Sequence, residues 1–256
     1  MFHKMDNYNF WENRADLGFT SCTNDVVLKK LEMSEINKHI FHNARILDIG
    51  CGNGISAISI CENYNVNIDA FDFSEKLINE AKKMYDPQLL KGTVNFFNLD
   101  MLNMETLSKK YDIIISERAL INLKDFDEQK STMIKVFKLL NKGGKFLMCE
   151  NSMDGLDSIN VYREQLNLSI IEPPWHNKYF RESDINSIDY DGVNLEKKYS
   201  FTSSYYFLSR VINAYVSKIN DKEPEYESDI NKIAFLLKPL DLDIGQTKLW
   251  VWLKTN

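Results

Sequence analysis

Five short, largely apolar runs, the first of them rich in β-branched residues, at 46–49, 67–74, 94–99, 112–116 and 145–149, alternate with stretches of helical periodicity at 55–61, 75–84 and 127–140. Runs of that length bounded by turn residues predict buried parallel strands, and the stretches between them predict covering helices. Asn141-Lys142-Gly143-Gly144 is the stop signal of the third helix. Beyond residue 150 the simple alternation ends. A helix is expected over 154–168, and Pro173-Pro174 forbids helix through 171–180. A strand over 195–201, helices near 205–218 and 228–237 around a charged linker at 220–227, and an alternating strand at 248–254 follow. The first 43 residues read as helical and aromatic-rich, with Thr23-Asn24-Asp25 capping a helix over 26–40. The pattern predicts a doubly wound α/β sheet.

The first run, Ile46-Leu47-Asp48-Ile49, leads directly into Gly50-Cys51-Gly52-Asn53-Gly54. Glycines at alternate positions allow a sharp turn and let a ligand lie against the backbone, and the following helix start offers free N–H groups. A nucleotide-like ligand is expected there. The dinucleotide fingerprint G-x-G-x-x-G would need its third glycine where Ile55 stands. Asp72, at the end of the second run and followed by Phe73, lies about twenty residues on, where an acid can accept from ribose hydroxyls. Asp100-Met101 ends the third run and Glu117-Arg118 follows the fourth. Each has a plain structural alternative: Asp72 and Asp100 as helix caps, Glu117 and Arg118 in a solvated loop.

Asp48, Gly50, Cys51, Gly52 and Gly54 together resemble the D-x-G-x-G-x-G turn of Rossmann-like S-adenosylmethionine (SAM) methyltransferases. The resemblance implies a seven-stranded, mostly parallel sheet with an antiparallel last strand, SAM as cofactor and S-adenosylhomocysteine as product. It implies a helical lid over 1–43, a SAM-binding core over 44–151, a substrate-side insertion over 152–193, and final strands and helices over 194–256. Asp72 and Phe73 would meet the ribose, Asp100 and Met101 the adenine, Glu117 the cofactor or substrate, and Arg14 the methionine carboxylate. The alternative for Arg14 is an ion pair with Glu12 or Asp16. The segments 116–123, 175–180 and 248–252 resemble a bacterial subgroup associated with surface-polysaccharide and sugar modification. That implies a small sugar- or phosphate-type acceptor in capsule or lipopolysaccharide decoration, including O-methyl phosphoramidate chemistry.

A sugar hydroxyl needs a general base, for which His176, Glu117 and Glu150 are candidates, with His176 equally readable as a loop-bonded structural histidine. An anionic nucleophile needs none, and Arg118 or Arg181 can hold it in a bidentate contact. Ser116-Glu117-Arg118 stands where an Asn-Pro-Pro-Tyr-type motif would indicate a nucleobase or amide nitrogen acceptor. The net charge of −6 argues against a broad nucleic-acid surface. No apolar run is long enough to span a membrane, and no metal-ligand cluster is evident. The N-terminus has no apolar signal core. Cys22, Cys51, Cys61 and Cys149 form no C-x-x-C pair, and the last three lie in or beside apolar runs, which suits buried free thiols in a cytoplasmic protein. A NAD-type oxidoreductase and a catalytically silent SAM-binding protein are the competing readings.

Overall fold

The computed structural model describes residues 2–256. Its sheet has seven strands in the order β3-β2-β1-β4-β5-β7-β6, formed by β1 (Arg45–Ile49), β2 (Asn67–Asp72), β3 (Thr93–Asn98), β4 (Tyr111–Glu117), β5 (Leu140–Asn151), β6 (Val193–Tyr199) and β7 (Thr247–Lys254). The first five pair in parallel, and β7 runs antiparallel to both neighbours. The order reverses at β1, whose neighbours are β2 and β4, and ligands in such sheets bind beyond the strand ends at that reversal.

The helices are α1 (Phe2–Arg14), α2 (Val26–Asn37), α3 (Ile55–Asn63), α4 (Glu75–Met84), α5 (Phe126–Leu139), α6 (Met153–Gln165), α7 (Glu182–Asn186), α8 (Ser203–Tyr206), α9 (Asn213–Ile219) and α10 (Asp229–Leu236). Short polar side chains start several of them. Asp25 accepts from Leu28 N, Ser74 from Leu77 N, Asp125 from Glu128 N and Ser152 from Gly155 N. The apolar sides of β1, β4, β5 and β7 pack with Met133, Val136 and Phe137 of α5 on one sheet face. Ile36, Ala57, Ile60, Ile78 and Ala81 of α2, α3 and α4 cover the other. A third cluster joins Leu28 and Ile159 to Tyr205, Tyr206 and Val211.

Three local readings need correction. Helix α2 ends at Asn37, short of residue 40. Helix α5 gives way to β5 at Leu140, so the Asn-Lys-Gly-Gly stretch lies inside the strand assignment. Tyr111 pairs with Leu140 and Ile113 with Lys145, so the extra residues bulge out, with Gly143 at φ 77°. The expected helix at 205–218 is α8 and α9 joined by a π-helical turn, Phe207–Ile212. Among the described residues no helix is long and apolar enough to cross a membrane.

Candidate active site

The glycine turn after β1 takes positive φ at all three positions: 67° at Gly50, 56° at Gly52 and 77° at Gly54. Space excludes a side chain as strongly as conformation does. A Cβ on Gly50 would lie 2.5 Å from Ala119 Cβ, and one on Gly54 would lie 2.7 Å from the Phe96 ring. Asp72, 5 % exposed, ties the turn to β2: Gly52 N donates to Oδ2 and Ser74 N to Oδ1, both at 2.9 Å. Burial pushes its carboxyl up to about 6 against those backbone donors. Asp48, directly below the turn, is pushed up to about 7 by burial and then by the Glu117 charge.

A cavity of about 360 Å³ opens on this turn, within the usual range for small-molecule sites. Arg14, Asp48, Gly50, Cys51, Gly52, Asp72, Phe73, Met101, Glu117, Arg118 and His176 all line it. A second cavity of about 200 Å³ shares Gly50, Phe73, Met101 and Asn122 with the first and adds Phe71, Leu99, Asp100 and Leu102. Gly54 lines neither cavity, but its αL backbone forms the N-cap of α3. Asp100 caps a short helical turn through Leu102 N at 2.9 Å while also facing the second cavity.

The N-terminal segment lies across the turn. Asn53 donates to the Gly18 carbonyl at 2.9 Å, and Cys22 Sγ occupies the space above Gly52. Ser74 Oγ donates to Glu12 at 2.7 Å. Arg14 makes neither of the ion pairs considered for it. Its Nε donates to Ser21 O at 2.7 Å, and one terminal nitrogen reaches Thr20 O and Asn24 Oδ1, both at 3.0 Å. Three distant segments meet at Asn122. Asn7 donates to its carbonyl at 2.8 Å, and Trp11 and Asn177 each donate to its Oδ1 at 3.2 Å. His176, 9 % exposed, packs among Phe10, Trp11 and Trp175 with ring centroids 4.2, 5.8 and 5.2 Å away.

Glu117 and Arg118 sit half-buried in a charged cluster, not in a solvated loop. Lys29 Nζ sits 2.7 Å from Glu117 Oε1, and Ser56 Oγ donates to Oε2 at 2.6 Å. Burial raises the Glu117 carboxyl, but Lys29 and Ser56 outweigh it and hold the group below its ordinary value. Arg118 turns out of β4 at φ 53° and places Nε 3.0 Å from the fully buried Glu32. Glu150 is a correction. It does not line the cavity; instead it accepts from Ser116 Oγ and from Ala119, Leu120 and Ile121 N–H groups, fixing the loop after β4. Burial pushes it up to about 7. Arg181 is a second correction, pairing on the surface with Asp157 at 2.5 Å and Asp154 at 3.6 Å. Cys51 faces the cavity half-buried, whereas Cys61 and Cys149 are buried; all four thiols are free.

The far end of the cavity joins Tyr179, from the proline-bounded 175–180 loop singled out in the sequence, to Asn151, Tyr206, Arg210, Tyr226 and Gln246, which were not read from it. Arg210 projects from the π-helical turn, donates to Asp25 Oδ2 at 2.6 Å and lies 5.0 Å from the Tyr226 ring centroid. Only the clustering of tyrosines at 205–206 with an arginine one helical turn on could have signalled it. Among the described residues no group of three or more His, Cys, Asp or Glu is placed to hold a metal ion.

Residues 40–196, more than half of the chain, match the family model of the methyltransferase domain. The chain belongs to that family. This methyltransferase domain is 24 % identical over 110 residues to an O-methyltransferase, rstn1, of Aspergillus nomiae, covering 43 % of this chain and 48 % of that protein. It is 33 % identical over 92 residues to a release factor glutamine methyltransferase of Flavobacterium psychrophilum, covering 36 % and 30 %. The chain thus spans less than half the length of these relatives. In fold it resembles a SAM-dependent methyltransferase from Clostridium acetobutylicum, with TM-score 0.55 at 15 % identity over 97 % of this chain and 99 % of that one. It also resembles the magnesium protoporphyrin IX methyltransferase from Synechocystis with bound S-adenosylhomocysteine, with TM-score 0.55 at 15 % identity over 90 % and 82 %. Membership of the family sets aside the NAD-type oxidoreductase.

Proposed function

We propose that the protein is a SAM-dependent O-methyltransferase acting on a small sugar- or phosphate-type metabolite. The observation that carries the reading is the side-chain-free floor at Gly50, which joins two cavities, with a buried acid, Asp72, lining the first. The residues fit the cofactor by their chemistry. Asp72 would take the ribose hydroxyls, the apolar second cavity with Phe73, Met101 and Asp100 the adenine, and Arg14 and the Glu117–Lys29 pair the amino-acid end. When bound, SAM supplies an electrophilic sulfonium methyl, whose C–S bond breaks as a C–O bond forms to the acceptor.

Everything else falls to the chain. The N-terminal segment over the turn excludes water, and holding the acceptor in line with the methyl supplies much of the acceleration. A neutral hydroxyl must give up its proton. Glu117 is neutralised by Lys29 and Glu150 is enclosed by loop donors, so His176 in its aromatic surround is the remaining base among the three candidates. A role in capsule or lipopolysaccharide decoration rests on the subgroup resemblance of 116–123 and 175–180 and on the polar far end of the cavity.

Methyl transfer from labelled SAM, screened against nucleotide sugars and phosphorylated metabolites, tests the reading together with calorimetry on S-adenosylhomocysteine. Asp72→Ala is expected to weaken S-adenosylhomocysteine at least tenfold, and His176→Ala to abolish turnover while binding it. Failure of wild type to bind either SAM or S-adenosylhomocysteine ends the proposal. Binding with no turnover of any acceptor favours the silent binding protein, and full activity of His176→Ala removes it as base.

A further inference from the structure

The far end of the cavity holds a set of hydrogen-bond donors whose directions are fixed by their neighbours. Thr247 Oγ1 donates to Asn151 Oδ1 at 2.8 Å, so the Tyr206 hydroxyl, 3.0 Å from Thr247 Oγ1, must be the donor in that pair. The Tyr179 oxygen accepts from Gln246 Nε2 at 2.6 Å, and Asn151, its carbonyl engaged, lines the same cavity. The Gln246 amide occupies the Tyr179 oxygen, and the tyrosine's own proton meets no protein acceptor among the described residues. That proton is left to the cavity. Burial pushes Tyr179 up to about 12, so it stays a donor at neutral pH.

Arg118 supplies the second part. Only its Nε is engaged, by Glu32, and its terminal nitrogens meet no protein acceptor among the described residues, although the side chain lines the cavity. Its backbone holds a left-handed φ of 53°, a strained conformation for a non-glycine residue, and such strain clusters where a side chain must be aimed. Arg118, Arg210 and Tyr179 all line the same cavity. Arg210 is held by Asp25 at 2.6 Å, whereas Arg118 keeps its fork free. A guanidinium fork and a phenol proton, backed by a second cation, match an oxyanion better than a neutral hydroxyl, which would leave donors unfilled.

On this basis, and resting on the methyltransferase reading above, we infer that Arg118 and Tyr179 form a subsite for a carboxylate or phosphate on the acceptor, selecting acidic over neutral substrates. The family model ends at residue 196, so Arg210 and Gln246, which complete this end, lie outside the matched segment.

Calorimetry on the protein saturated with S-adenosylhomocysteine tests the subsite, with inorganic phosphate and benzoate as separate probes at constant ionic strength. Wild type is expected to bind at least one with a Kd of about 1 mM or tighter. Tyr179→Phe, which removes only the phenol oxygen, and Arg118→Gln should each weaken that binding at least tenfold. Tighter phosphate identifies a phosphoryl acceptor, and tighter benzoate a carboxylic acid. Absence of binding of both probes, or equal binding by wild type and Tyr179→Phe, overturns the subsite. Failure of S-adenosylhomocysteine to bind wild type in the first titration would instead overturn the methyltransferase reading, and its binding to each variant checks that the variant is folded.

Discussion

At the scale of single residues, the buried acids beneath the glycine turn set a pH signature. Asp48 titrates near 3.9 in an unfolded chain but is pushed up to about 7 here, so the folded state holds its proton longer. The native protein is therefore penalised as pH rises through that window, and the full penalty applies above about 7. Asp48→Asn should raise Tm relative to wild type clearly at about pH 8 and little at about pH 4, read by thermal denaturation without ligand. The glycines and Asp72 were legible from sequence because their roles are local: positive φ, a turn, an acid closing the next strand. Glu150 was not, because its donors come from residues 116–121 on a neighbouring strand and loop, and nothing near Glu150 in sequence announces them. Asn122 was missed for the same reason, being defined by partners more than fifty residues away, whereas Tyr179 lies in the 175–180 loop already singled out.

At the scale of elements, the strands and covering helices were legible wherever hydrophobic period and capping residue agreed, as at Asp25 before α2 and Ser74 before α4. The stretch Asn141-Lys142-Gly143-Gly144 was misread because glycines that stop a helix also suit a bulge, and only pairing with β4 decides. The N-terminal segment has few apolar anchors, with Tyr8, Leu17 and Phe19 exposed, and is held over the turn largely by polar contacts. Asn122 is the junction of those contacts. Asn122→Ala removes the acceptor for Trp11 and Asn177 and should destabilise docking of α1 by about 1–3 kcal/mol. Hydrogen exchange is expected to quicken across 7–24, with little change in β1 and β4; uniform protection would show that α1 is held by other means.

At the scale of the molecule, the edge of the sheet opposite β3 is tied down by charge. Lys248 of β7 is fully buried and lies against Glu182 and 2.8 Å from Asp243, while Lys198 of β6 reaches the same two acids at 2.7 and 2.6 Å. Burial alone would raise Asp243, but Lys198 and Lys248 outweigh it and hold its carboxyl well below the ordinary range. A depressed carboxyl contributes stability above its unfolded pKa, and this is lost as pH falls through the folded one. Lys248→Met should cost about 2 kcal/mol or more in urea denaturation at about pH 7, since it strands two acids on one lysine. The deficit should persist at about pH 4 and narrow only in stronger acid.

The strand order has one more consequence. Residues 48–101 form the floor at the glycine turn, whereas the far end of the cavity draws on 179, 206, 210, 226 and 246, chain inserted between β5 and β7, together with Asn151 at the end of β5. The two halves of the cavity are thus written in separate paragraphs of one text. Rewriting the later one leaves the sheet register of the earlier one intact, because β1, β2 and β3 make no pairing with it. On the proposed reading, exchange of the length between β5 and β7 should re-address such a chain to a new acceptor, with Arg118 the one member of the inferred subsite left on the earlier half.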